Sequence, residues 1–332
     1  MVDHVLRAGV IGLGSMGRNH ARVWSEEIEG AELVAVADPR VNARRDADDY
    51  RVRGYADVAA MLAEEELDVV SVAAPTSLHH DLTLTALAAG AHVLVEKPIA
   101  ATRPEAERMM AAATDAGRLL SVGHIERFNP AVVELRRQLQ DGALGRVFQV
   151  TATRLGPFPE RIRDVGVVVD LAPHDLDVMR FLLGADPVRL YAETEQRIHT
   201  DHEDLFVGVL KFGNGAVGLL DINWLTPTKV RTISVTGERG MLRADYLSQE
   251  LVFVPNPARG TVTAGDAESL PVARREPLVV ELEAFARAVR EGGPAPVDPR
   301  EALVALMLAR ALVEAANTGT ALSGSALEAV LA

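Results

Sequence analysis

A lysine at 97, an aspartate at 170 and a histidine at 174 are the residues best suited to moving a hydride and a proton together. Lys97 stands between Glu96 and Pro98, directly after an apolar run at 91–95. An amine at a strand end can donate a hydrogen bond to a substrate oxygen, or lose its proton where burial lowers its pKa. Asp170 and His174 fall within Asp-Leu-Ala-Pro-His-Asp-Leu-Asp (170–177). Four residues apart in a helix, they share one face. A carboxylate beside an imidazole fixes its tautomer and raises its basicity, as a general base requires. Removing a hydride from an alcohol carbon needs such an acceptor for the hydroxyl proton. The competing reading starts the helix at Pro173, with Asp175 and Asp177 complementing its positive end and His174 packing.

A second group concerns phosphate. Residues 9–17 read Gly-Val-Ile-Gly-Leu-Gly-Ser-Met-Gly, which places glycines at 12, 14 and 17 with the spacing G-x-G-x-x-G. Gly12 permits a tight turn out of a strand, Gly14 lets backbone approach a pyrophosphate, and Gly17 lets the following helix lie close to the strand. The open N–H groups of Leu13, Ser15 and Met16 at that helix start suit an anion. Asp38 follows the next strand-like run, about twenty residues beyond the last glycine, where a dinucleotide fold places the carboxylate for a ribose 2′-hydroxyl. The cofactor expected is NAD, with NADP as the alternative because Arg40 stands beside Asp38.

Composition narrows the chemistry. The chain has 332 residues, 48% of them hydrophobic and 24% charged, the make-up of a globular protein with a sizeable core. A net charge of −13 argues against nucleic acid or an anionic membrane as partner. With no cysteine there is no disulfide, zinc–thiolate site or thiol nucleophile, which excludes aldehyde oxidation through a thioester. His79 and His80 suggest a metal, but neighbours on a helix point in different directions and no HExxH accompanies them, so none is expected. No apolar run is long enough to span a membrane, and the start shows no signal-peptide pattern, so a cytoplasmic location is expected.

The elements that must position these residues alternate. Strand patterns at 8–11, 31–37, 68–74, 91–95 and 119–123 are separated by helix patterns at 15–27, 39–53, 76–89 and 104–116, with Thr76 or Ser77 as the expected N-cap of the third. This spacing predicts a doubly wound parallel sheet, with ligand groups at the turns beginning at Gly12, Asp38, Pro75, Glu96 and His124. Beyond residue 128 come a helix at 130–139, strands at 147–154, 189–197, 205–212, 216–224 and 229–236, and a helix at 170–183 closed by Gly184. Gly213-Asn214-Gly215 signals a hairpin turn. Amphipathic helices follow at 281–290 and 300–318. The fold class expected is α/β: a Rossmann domain over 1–125, then an α+β domain over 126–332 with a largely antiparallel open sheet.

Gly-Leu-Gly-Ser-Met-Gly-Arg-Asn-His, Ala-Ala-Pro-Thr-Ser-Leu-His, Val-Leu-Val-Glu-Lys-Pro and Asp-Leu-Ala-Pro-His-Asp-Leu-Asp, in that order, resemble the glucose–fructose oxidoreductase/inositol dehydrogenase family over nearly the whole chain. The resemblance implies NAD(P) at the domain junction, with Lys97, Asp170 and His174 as the catalytic lysine, aspartate and histidine. It implies cofactor contacts from the residues of 12–17, Asp38, Ala74, Pro75, Thr76, His79, Glu96 and Lys97. Pro173 departs from the expected pattern and leaves the division of roles between Asp170 and His174 open.

Within the family, Gly-His-Ile-Glu-Arg-Phe-Asn-Pro (123–130) and Asn-Trp-Leu-Thr-Pro-Thr-Lys-Val-Arg (223–231) look most like the enzymes that oxidise nucleotide sugars such as UDP-N-acetylglucosamine at the 3-position. Such a substrate carries two phosphates and needs local cations; Arg127, Arg154, Arg161, Arg163, Lys229 and Arg231 are the candidates, with His124 and Asn129 beside them. A free sugar or cyclitol is the alternative substrate, and a dinucleotide-binding sensor without turnover is the rival from another class. A homodimer or homotetramer joined through the open sheet is also implied.

Overall fold

The computed structural model describes residues 4–40, 43–159, 166–198, 201–257 and 265–331. They form two compact units, 1–125 with 276–303 and 126–275 with 304–332.

In the first unit the chain runs β1 (Leu6–Ile11), α1 (Ser15–Glu26), β2 (Ala31–Ala37), α2 (Ala43–Tyr50), β3 (Arg53–Tyr55), α3 (Val58–Glu64), β4 (Val69–Val72), α4 (Thr76–Ala88), β5 (His92–Glu96), α5 (Arg103–Ala116) and β6 (Leu120–Gly123). Among the described residues the strands form a parallel sheet in the order β3-β2-β1-β4-β5-β6. The order reverses direction between β1 and β4, which puts the ligand crevice of a doubly wound sheet at the carboxyl ends of those strands. Both faces are covered, so Val10, Val36, Val70, Val93 and Val95 are fully buried. Thr102 and Glu105 form a reciprocal capping box on α5, and Gly117 ends that helix in the left-handed region. Neither Thr76 nor Ser77 caps α4. Pro75 occupies that position, because its fixed φ places extended backbone one residue before the first turn.

The second unit continues after a 3₁₀ turn (Ile125–Phe128) with α6 (Pro130–Gln140), β7 (Val147–Pro157), α7 (Val167–Leu183), β8 (Pro187–Glu195), β9 (Leu205–Phe212), β10 (Val217–Asn223), β11 (Leu225–Gly237), β12 (Gly240–Asp245), β13 (Glu250–Pro255) and β14 (Glu268–Leu270). α8 (Pro277–Glu291) belongs to the first unit, and α9 (Pro299–Thr318), β15 (Leu322–Ser323) and α10 (Ser325–Leu331) close the chain. The sheet order among described residues is β14-β13-β12-β11-β7-β10-β9-β8-β15, antiparallel except where β10 runs parallel to β7. One face packs Val150, Ala152, Leu220, Ile222, Ile233 and Val235 against helix residues such as Leu176 and Met179. On the opposite face alternation leaves Val207 and Val209 of β9 exposed.

Two expectations change. Residues 276–303 pack with the first unit, although a linear reading places them in the second domain. Leu282 and Phe285 of α8 share a core with Trp24 of α1, and Arg22 donates to Glu276 at 2.5 Å. Amphipathic spacing tells which face of α8 is buried but not against what. The helix bearing Asp170 begins earlier, at Val167, with Gly166 as its N-cap, so Pro173 lies inside it. Neither the helix start at 170 nor one at Pro173 is therefore the observed one. A proline there removes the hydrogen bond to the Val169 carbonyl, and the apolar residues at 167 and 168 keep the first turn buried.

Candidate active site

In the first unit, β1 stops at Gly12, whose φ of +88° and close approach to the Ala73 carbonyl (2.7 Å from a hypothetical Cβ) admit only glycine. At Gly17 a Cβ would lie 1.7 Å from the Gly12 carbonyl oxygen, so this glycine is where helix and strand touch. At Gly14 nothing lies within 4 Å of a Cβ. That open space sits at the N-cap of α1, where no side chain caps the first amides. A concave turn with unspent N–H groups at the start of a 12-residue helix fits the pyrophosphate of a dinucleotide.

Asp38 closes the far side of this turn. Its Oδ2 accepts from the Leu13 amide at 2.7 Å, and its Oδ1 accepts from the Arg40 amide at 3.0 Å. The Arg40 guanidinium binds both oxygens, Nε to Oδ1 at 2.7 Å and Nη2 to Oδ2 at 2.5 Å. The Arg40 bond is the main reason the Asp38 carboxyl is held down at about 2. Arg40 precedes α2, since the helix begins only at Ala43.

The turns after β4 and β5 are tied together by His79, which is 1% exposed. Its Nε2 faces the Ala74 carbonyl at 2.9 Å and its Nδ1 faces the Pro98 carbonyl at 2.8 Å. Burial pushes this imidazole down, against the two carbonyls that favour its charged form. His80 turns away to Asp81 (2.6 Å) and Arg108 (3.1 Å). Among the described residues no group of three side chains could hold a metal. Glu96 ends β5 buried; it accepts from the Lys97 amide at 3.2 Å, and its other oxygen lies 3.0 Å from His20 Nε2. His124, just beyond β6, is buried as well.

In the second unit, α7 presents Asp170, His174 and Asp177 at four- and three-residue spacings, hence on one face. Their neighbours are paired. Arg127 grips Asp177 with Nε to Oδ2 at 2.7 Å and Nη2 to Oδ1 at 2.6 Å, and its guanidinium lies 5.1 Å from the Phe181 ring. Arg154, 1% exposed, grips Asp175 with Nε to Oδ2 at 2.7 Å and Nη2 to Oδ1 at 3.0 Å, and reaches Glu126 at 3.0 Å. Burial would lower the Arg154 guanidinium, but Asp175 and Glu126 outweigh it and hold the charge. Asn129 caps α6 through the Ala131 amide and donates to the Tyr246 carbonyl at 3.0 Å.

The structure thus engages Arg127, Arg154 and Asn129, expected at the substrate, in bonds within the second unit, because carboxylates on α7 and a helix start lie closer to them than solvent does. Lys229 of β11 is exposed, and Arg231 of the same strand is half-buried with a guanidinium that makes no hydrogen bond among the described residues. Burial and then Arg154 push that guanidinium down. Arg161 and Arg163 lie outside the described residues. Sequence reasoning missed the buried bonds of His20, Ser71 and Trp24. Only a place two turns into α1, on the face toward the sheet, could have signalled them.

Residues 6–124 match the model of an oxidoreductase family with an NAD-binding Rossmann fold, and residues 132–243 match the GFO/IDH/MocA C-terminal domain. The UDP-N-acetylglucosamine 3-dehydrogenase of Acidithiobacillus ferrooxidans is 32% identical over 319 residues, which cover 93% of this chain and 98% of that protein. A crystal form of that enzyme aligns with a TM-score of 0.84 at 30% identity, covering 94% of this chain and 98% of that one. The myo-inositol 2-dehydrogenase of Thermotoga maritima is 26% identical over 322 residues, 91% of this chain and 94% of that protein.

Proposed function

The chain belongs to the GFO/IDH/MocA oxidoreductase family and is an NAD-dependent enzyme acting on CH–OH groups, and from that premise we propose that its substrate is a nucleotide sugar, UDP-N-acetylglucosamine, oxidised at the 3-position. The turn at Gly12–Gly17 and Asp38 would hold NAD, which would supply the hydride acceptor. Lys97 donates a hydrogen bond to the reacting hydroxyl oxygen and stabilises the charge that develops on it. His174 takes the hydroxyl proton, and Asp170, one turn earlier on α7, orients its ring. In the reverse direction His174 returns one proton to the keto oxygen while Lys97 keeps its hydrogen bond to it.

The observation that carries the substrate reading is the half-buried guanidinium of Arg231, which makes no hydrogen bond among the described residues. A cation in such surroundings is destabilised until an anion arrives, and a diphosphate provides one. Lys229, exposed two residues earlier on β11, adds to the same charge. The similarity to the Acidithiobacillus enzyme agrees with this reading.

The Thermotoga relative supports a second reading, a cyclitol such as myo-inositol as substrate. Initial rates of NADH formation separate the two. UDP-N-acetylglucosamine is expected to give the higher kcat/KM, and Arg231→Ala to lower it by ~10-fold or more through KM. A preference for myo-inositol, unaffected by Arg231→Ala, would overturn the nucleotide-sugar reading.

The exposed sheet face of the second unit is the proposed subunit interface. Val209 of β9 lies directly opposite Leu219 of β10, and Thr151 of β7 follows in the same row. Apolar and hydroxyl side chains in such a row suit a second copy of the same sheet.

A further inference from the structure

Behind Lys97 lies a chain of buried polar groups that the proposed reaction does not use. His20 on α1 is fully buried, with Nδ1 3.2 Å from Ser71 Oγ on β4 and Nε2 3.0 Å from Glu96 Oε1 on β5. Trp24, one turn beyond His20 and 1% exposed, donates its indole N–H to the same Ser71 oxygen at 2.9 Å. Glu96 Oε2 accepts the Lys97 amide at 3.2 Å. Gly123 on β6, paired with Glu96 across the sheet, leaves the carboxylate its room, since a Cβ there would stand 3.1–3.2 Å from the carboxylate atoms. Three strands and a helix therefore converge on one carboxylate at the end of β5.

Counting donors and acceptors narrows the direction of the chain. The Trp24 N–H can only donate, so one lone pair of Ser71 is taken. The hydroxyl keeps one proton and one further lone pair. It can thus donate to a neutral His20 Nδ1 or accept from a charged one. In both of those states Nε2 carries the proton that points at Glu96; a neutral ring protonated on Nδ1 could use the same Ser71 lone pair but would turn a bare Nε2 toward the Glu96 carboxylate. The opposite tautomer needs a protonated Glu96 facing the Lys97 amide. That arrangement is disfavoured: burial pushes the carboxyl up, but the His20 bond and the nearby Lys97 charge bring it below the ordinary carboxylate range. The titratable groups facing Glu96 are His20 from α1, Lys97 beyond β5, and His79 from α4, whose imidazole feels the carboxylate.

We infer that His20 is a positioning residue for Lys97: its imidazole holds the buried Glu96 carboxylate, and that carboxylate fixes the backbone amide from which the Lys97 side chain extends. The Lys97 role rests on the catalytic reading above. The coupling itself does not, so it can be read in the protein without cofactor or substrate.

The probe is hydrogen exchange of the Lys97 amide, resolved by fragmentation mass spectrometry in the ligand-free protein. In folded His20→Leu that amide is expected to exchange at least about 5-fold faster than in wild type, because the carboxylate that accepts it is no longer held. His20→Gln, which restores an N–H donor, is expected to bring the rate back toward wild type. In turnover, kcat should fall in His20→Leu while KM for NAD changes less than kcat. Exchange of the Lys97 amide in folded His20→Leu equal to wild type would overturn the inference. Nitrogen NMR of histidine in the unmodified protein gives a second check independent of folding. A proton on His20 Nε2 is expected, and a neutral ring protonated on Nδ1 alone would contradict the direction of the chain. Were Lys97→Ala to leave turnover intact, only the catalytic reading would fail, since the exchange rates report the coupling regardless.

Discussion

Asp38 shows how one side chain can decide cofactor choice and what limits that decision. Its carboxylate would repel a 2′-phosphate, yet it is already clasped by Arg40, which could turn to receive one. Fluorescence titration is expected to find NADH bound more tightly than NADPH. Asp38→Ser should narrow the gap from the NADPH side, and Arg40→Ala should widen it. The pH dependence has a definite sign. A carboxyl lowered from 3.8 to about 2 contributes stability that is complete above about pH 4 and lost as pH falls toward 2. Asp38 therefore stays charged above pH 4, and any change of the preference near neutrality follows the 2′-phosphate of NADPH, whose second pKa is about 6, and should persist in Asp38→Ser. Asp38 was legible from its distance beyond the glycines. The Arg40 clasp was only half legible, because adjacency in sequence does not say which way a guanidinium folds.

Between residues and molecule stand the elements, where two glycines of one turn make opposite predictions. Gly17→Ala forces a Cβ into the Gly12 carbonyl and is expected to cost ~1–3 kcal/mol in denaturant unfolding. Gly14→Ala meets open space and ordinary extended backbone, so stability should hold while NADH affinity falls ~10-fold or more. Equal unfolding costs for the two would contradict the separate jobs given to them. On α7 the Arg154–Asp175 pair joins helix to sheet. Asp175→Ala leaves a buried guanidinium short of its partner and is expected to cost about 3–5 kcal/mol. Period and caps made most helices and parallel strands readable from sequence. The short strands β12 to β15 were not, because two to six residues of alternation do not stand out. Arg127 and Arg154 read as substrate cations: charge is visible in sequence, but the carboxylate that neutralises it is not.

At the scale of the whole molecule, assembly and turnover are the proposals. If the open sheet joins two copies, Val209→Glu with Leu219→Glu places charges in one row of that face and should convert an oligomer to a monomer in light scattering, with the far-ultraviolet spectrum unchanged. An unaltered mass would place the interface elsewhere. The central proposal is that Lys97 and His174 act on the same hydroxyl oxygen. Single-turnover NADH formation from UDP-N-acetylglucosamine, followed in wild type, Lys97→Met, His174→Asn and the double variant, tests it most directly. Each single change is expected to slow the step by ~100-fold or more, with the double variant well short of the product of the two. A Lys97→Met enzyme turning over at the wild-type rate would contradict it.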